Sequence, residues 1–108
     1  MQRGTNAWHG SGNVASDVAY GETRAGDTAC NFRLVIEQPH KPLSYFRVNA
    51  YGRNASDCQN KKLAKGDYVV IDGELMNRQG KEELLTEIRC TEIVIHPRGD
   101  KRGGDGNR

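Results

Sequence analysis

Large apolar residues are scarce in this chain. The hydrophobic types make up 35% of its 108 residues, and no run approaches the roughly 20 consecutive apolar residues of a membrane span. A core that lean belongs to one small domain, which gains from self-association. Neither sign of charge dominates: 16 Lys and Arg stand against 14 Asp and Glu, for a net +2, so a basic surface for nucleic acid has to be local. Cysteine is few and odd in number (Cys30, Cys58, Cys90), and no apolar h-region opens the chain. That excludes a secreted disulfide framework and points to a reducing, cytoplasmic setting. No C-x-x-C pair occurs and His9, His40 and His96 are scattered, so neither a metal site nor a cofactor is expected. A Walker loop, a dinucleotide fingerprint and Ser-His-Asp or Cys-His orders are missing too, and the chain does not read as an enzyme.

What is present centres on Ser44 to Gly52, S-Y-F-R-V-N-A-Y-G. Phe46, Val48 and Ala50 alternate with Tyr45, Arg47, Asn49 and Tyr51, the period of a half-buried strand. One side is core. The other offers two aromatic rings, a guanidinium and an amide without a carboxylate. Such a face stacks bases on its tyrosines and holds phosphate with its arginine, with little preference for sequence.

Around it the chain resolves into further strands. Asn6 to Val14 alternates Ala7, His9, Ser11 and Asn13 against Trp8, Gly10, Gly12 and Val14, a first strand weakened by its glycines. Ala15 to Thr28 reads as a connecting loop, with a brief strand at Val18 to Tyr20 at most. Ala29 to Gln38 is a second strand with Cys30, Phe32, Leu34 and Ile36 inward and Arg33 outward. Pro39 and Pro42 bracket a turn in which His40 and Lys41 either touch a ligand or are simply solvated. Arg53 to Lys65 predicts a short helix, capped by Asn54 or Ser56, with Lys61, Lys62, Lys65 and Arg53 forming a basic cluster. Tyr68 to Asn77 is the fourth strand, with Val69, Ile71, Gly73 and Leu75 inward. A short turn, Arg78-Gln79-Gly80-Lys81, follows, with a positive φ at Gly80. The last strand, Glu82 to His96, places Leu84, Thr86, Ile88 and Cys90 inward and then Ile93 and Ile95, so a bulge is predicted near Thr91. Asp72 and Glu74, and the group Glu82, Glu83 and Glu87, read as solvation of exposed sheet faces. Arg98 to Arg108 has no apolar residue and is expected to be a disordered tail beyond a domain of residues 1–97.

Five strands with a short helix between the third and fourth give an all-β chain in the order of an OB-fold barrel. The pieces R-G-T-N (Arg3 to Asn6), G-N-V (Gly12 to Val14) with Asp17 following, N-F-R-L (Asn31 to Leu34), F-R-V-N-A-Y-G-R (Phe46 to Arg53), L-A-K-G (Leu63 to Gly66) and V-V-I-D-G-E-L (Val69 to Leu75) resemble, in order and spacing, the bacterial and phage single-stranded DNA-binding protein family. The resemblance runs from Arg3 to about Ile95. It implies base stacking at Tyr45 and Tyr51, basic residues on the DNA path at Arg53, Lys65, Arg78 and Arg3, and pairing through the first strand (Asn6, Trp8, Gly10, Gly12, Val14) into dimers or tetramers. Trp8 matches an aliphatic position, which favours a structural role for it.

With Arg33, Arg47, Lys81, His40 and Lys41 added from the residues themselves, the expected ligand is single-stranded DNA, with RNA open because stacking tyrosines accept any base. The implied setting is replication, recombination or repair. The family often carries tryptophans before its third strand and in a long hairpin between strands four and five; here those regions hold Gln38 to Pro42 and a clipped turn at Gln79-Gly80, implying fewer stacking platforms. Its cellular members recruit partner enzymes through an acidic tail that Arg98 to Arg108 does not match. The alternative is an adaptor similar to primosomal replication protein N, working mainly through contacts with a helicase or polymerase assembly.

Overall fold

The alternation in the middle of the chain becomes strand β4 (Ser44–Tyr51) in the computed structural model, which describes residues 1–97. The tail expected over residues 98–108 lies outside the described residues. Along β4, Val48 and Ala50 are buried, while Tyr45, Arg47 and Tyr51 are exposed on the opposite face. The same period shapes β1 (Trp8–Val14), β3 (Thr28–Ile36), β5 (Tyr68–Gln79) and β6 (Leu84–His96), with β2 (Ala19–Glu22) a short addition and α1 (Arg53–Asn60) the one helix among the described residues.

Five strands close on themselves. β1 runs antiparallel to β5, β5 to β6, and β3 to β4. β3 returns to β1 at Leu34 and Val35, and β4 lies parallel to β6 only where Arg47–Asn49 meets Glu87–Arg89. With α1 between β4 and β5, this is the OB-fold order expected from the sequence. β2 is an exposed sixth strand on Thr28 to Asn31 of β3, where the sequence had allowed only a fragment at Val18 to Tyr20.

Within the ring sit Val14, Phe32, Leu34, Val48, Val69, Ile71, Ile88 and Ile95. Each fully buried aliphatic side chain among them contributes about 1.5–3 kcal/mol. From α1, Ala55 and Cys58 enter this cluster, three residues apart and so on one helical face. The helix starts sooner than predicted because Gly52, at φ 61 and ψ −129, turns the chain directly out of β4, a conformation that needs glycine. Asn54 and Ser56 therefore lie inside the helix rather than at its cap. Asn54 Nδ2 donates instead to the Thr91 carbonyl at 3.1 Å.

Thr91 is the bulge. Asp72 pairs with Glu92 but Gly73 pairs with Cys90, leaving Thr91 as the extra residue, its hydroxyl donating to the Asp72 carbonyl at 3.0 Å. The insertion lets Ile88 and Cys90 on one side of it and Ile95 on the other all reach the core. Beyond Ile88, however, the β5–β6 ladder continues past the barrel to Gln79 and Leu84 as an arm. Leu75, Leu84 and Thr86 have the inward parity that the sequence assigned, but they are exposed. The turn spans Gly80 to Glu83, closed by Gly80 N–H donating to Glu83 O at 2.8 Å, and Gly80 has no positive φ. Arg78 accordingly belongs to the strand and not to the turn. Asn6 ties the root of this arm to the start of β1: its side chain donates to the Leu75 carbonyl at 2.7 Å and accepts from the Leu75 amide at 2.9 Å.

β1 explains its own glycines. The Trp8 ring lies over Gly10 and against Phe46, with ring centroids 6.4 Å apart. At Gly12 any Cβ would run into the Val35 carbonyl oxygen where β1 crosses β3. Gly12 is buried and Val14 is 2% exposed within the subunit itself. The outward residues of β1 are His9, Ser11 and Asn13. His9 Nδ1 lies 2.6 Å from Asp72 Oδ1, and the Tyr68 hydroxyl donates to Ser11 Oγ at 2.8 Å.

Candidate nucleic-acid interface

Strand pairing assembles one outward surface from four strands. Arg33 of β3 stands beside Arg47 of β4, Arg47 beside Glu87 of β6, and Glu87 beside Met76 of β5. The adjacent row is Asn31, Asn49, Arg89 and Glu74. Tyr45 and Tyr51 stand at the two ends of β4, 54% and 44% exposed.

Two arginines directly opposite one another destabilise a sheet. Here the cost is offset by Glu87, which the sequence had placed on a solvated face but which is only 7% exposed. One carboxylate oxygen accepts from Asn49 Nδ2 at 2.8 Å; the other accepts from Arg78 Nε in a short hydrogen bond and lies 3.8 Å from Arg47 Nε. Burial pushes this carboxyl up, but the hydrogen bonds from Arg78 and Asn49 and the charges of Arg78 and Arg47 outweigh it and hold it below its ordinary value. The face expected to lack a carboxylate is thus organised around one.

Grooves lie on either side of the Arg78–Glu87 bridge. One, of about 430 Å³, is lined by Tyr45, Phe46, Arg33, Arg47 and Leu85 together with the bridge. The other, of about 420 Å³, is lined by Tyr51, Asn49, Met76, Asn77 and Arg89 together with the bridge. Each groove has one tyrosine wall, at least one guanidinium and the shared carboxylate. An aromatic wall beside hydrogen-bonding groups is the setting in which a flat heterocycle stacks and its edge is read.

Tyr45, Tyr51, Arg33, Arg47 and Arg78 therefore come together on the surface described. Arg53 follows Tyr51 closely, as the first residue of α1. Lys81 is at the tip of the arm, Lys65 in the turn before β5, and Arg3 in the segment before β1, all exposed and outside both grooves. His40, at φ 62, and Lys41 line a separate concavity beside Asn13, in the β3–β4 loop. Met76, Arg89 and the pairing role of Glu87 escaped sequence reading. Their signal is the parallel β4–β6 seam, which alternation within one strand does not carry. Asp72 and Glu74 are partnered by His9 and by Arg89 Nη1 at 3.2 Å. Among the described residues no group of His, Cys, Asp and Glu gathers to hold a metal, and no helix is long and apolar enough to cross a membrane.

The closed five-stranded ring with its helix after β4, and the aromatic and cationic face on β4, define an OB-fold protein. Among solved structures, the dimeric structure of the N-terminal domain of PriB protein from Thermoanaerobacter tencongensis is similar, with a TM-score of 0.69 over 85% of this chain and 97% of that one, at 20% identity. That likeness concerns the fold. Over residues 6–97 the sequence matches the Single-strand binding protein family, and the chain belongs to that family. No curated protein matches it.

Proposed function

We propose that this protein binds single-stranded DNA with little sequence preference, as a non-catalytic coat in replication, recombination or repair. The observation that carries the reading is the pair of outward tyrosines at the two ends of β4, each walling a groove that also holds guanidinium groups. Bases stack on the rings, and Arg33, Arg47 and Arg53 lie alongside to meet phosphate. Membership of the family supports the same ligand. Pairing of two or more copies through the first strand, the segment of Asn6, Trp8, Gly10, Gly12 and Val14, is part of the proposal. A reducing, cytoplasmic setting is consistent with three cysteines that are all buried and free.

The test is fluorescence titration with oligo(dT) of increasing length at low and high salt, beside duplex DNA and oligo(U). The expected result is binding to oligo(dT) that weakens steeply with salt, a length step reporting the footprint, and much weaker binding to duplex. Absence of single-strand binding would overturn the proposal and turn the search to protein partners.

A further inference from the structure

The parallel seam between β4 and β6 is short. It joins Arg47–Asn49 to Glu87–Arg89 and goes no further, although both strands continue: Tyr45 stays paired with Val35 of β3, and Leu85 with Arg78 of β5. The β3–β4 and β5–β6 hairpins therefore part like the prongs of a fork, and the groove of about 430 Å³ opens between them. Carried one alternation back, the register of the seam sets Tyr45 level with Leu85, both turned outward with Arg47 and Glu87. Each lines the groove, and they are 54% and 37% exposed. At the crotch of the fork, Glu87 accepts from Arg78 and lies 3.8 Å from Arg47 Nε.

A nucleobase has two apolar faces and a polar rim. Stacked on Tyr45, it turns its second face to the other prong, where the side chain on offer is Leu85, an aliphatic residue that takes no part in the core. Covering that face removes apolar surface of both base and leucine from water. The rim meets the guanidinium donors and the carboxylate acceptor at the crotch, which together serve any base without selecting one. We propose that Leu85 is the second wall of a base clamp, covering the face of a nucleobase that Tyr45 leaves bare. This rests on the single-strand reading above and adds a contact from β6 to the stack on β4.

The experiment is a double-mutant cycle on the full chain, read by titration with oligo(dT): wild type, Leu85→Ala, Tyr45→Ala and the two together. Leu85→Ala is expected to weaken binding about four- to fifteenfold, the worth of one to two methylene groups covered by a base. Once Tyr45→Ala has left no base in the groove, the same replacement should cost much less. Combined with Tyr51→Ala, whose ring walls the other groove, it should cost as much as in the wild type. Leucine carries no charge, so the slope of log affinity against log salt should not change. Stability in urea should also be unaltered because Leu85 lies outside the core; if alanine there unfolds the arm, Leu85→Gln, a polar side chain of similar reach, takes its place in the cycle. No loss of affinity, or an equal loss with and without Tyr45, would overturn the clamp while leaving single-strand binding intact. A shallower salt slope would overturn it too, by showing that Leu85 acts through Arg78 and phosphate. Failure of the wild type to bind oligo(dT) would instead overturn the function on which the clamp rests.

Discussion

Replacing both β4 tyrosines tests the interface directly. Tyr45 and Tyr51 are six residues apart, so at about 3.3 Å per residue their Cα atoms lie about 20 Å apart. At that distance two sites act independently and their free energies add. Each ring is exposed and lines its own groove, so Tyr51→Ala should remove one stacking contact, about 1–3 kcal/mol. In affinity that is a loss of about 5- to 150-fold. The double variant Tyr45→Ala, Tyr51→Ala should lose the sum, about 2–6 kcal/mol by the same per-base increment. Stability should change little, because Val48 and Ala50, and not the tyrosines, hold β4 to the core. Titration with oligo(dT) supplies the affinities, and urea denaturation checks the fold. Unchanged affinity in the double variant would refute the argument; a collapse of stability with either single replacement would refute the assignment of the rings to an independent outer face.

Glu87 gives a pH dependence of stability. Its carboxyl lies below its ordinary value when folded, so its contribution is complete above the unfolded pKa and is lost as pH falls through the lower folded one. Urea denaturation from neutral to acid pH should show a steeper loss for the wild type than for Glu87→Gln, and parallel curves would contradict this. Gly12→Ala should destabilise by about 1–3 kcal/mol through overpacking against the Val35 carbonyl, whereas Gly21→Ala on exposed β2, with open space around it, should leave the melting temperature nearly unchanged. The three thiols are buried; burial with a neighbouring Cys30 charge pushes Cys90 up to about 12, and the hydrogen bond with Cys30 together with burial pushes Cys58 up as well. The hydrogen bond with Cys58 lowers Cys30 instead, so slow labelling there rests on burial, which denies a reagent access to all three; thiol reagents should label the folded protein slowly and the denatured protein at all three sites, and rapid labelling of the native state would show that the core opens easily.

Much of the architecture was legible because it follows from alternation. The faces of β3 and β4 and the bulge at Thr91 could be read from parity alone, since a register change is visible wherever two apolar phases abut. Parity does not report how far the core extends. Leu75, Leu84 and Thr86 keep the inward phase along an arm that has left the barrel, so their exposure is a fact of tertiary structure. The two tyrosines could be found within one strand, but Glu87 and Arg78 join them only across strand pairings separated by tens of residues. A single strand's pattern cannot show which distant strand will lie beside it. The glycines of β1 were visible as a weakness, and their use became clear only once the Trp8 ring and the Val35 carbonyl were seen to occupy their space.

The seam between β4 and β6 also carries information about time. Arg47–Asn49 meets Glu87–Arg89 across forty positions of sequence (87 − 47 = 40), while the β5–β6 and β3–β4 hairpins pair locally. Long-range pairing is slow because chain must be ordered before contact rewards it. During synthesis β4 emerges with both tyrosines long before β6 exists, so a nascent chain displays two aromatic rings and uncompensated arginines without the carboxylate that orders them. The mature surface comes into being at ring closure, and a chain halted before Glu87 would carry the stacking residues without the arrangement that sets them in place.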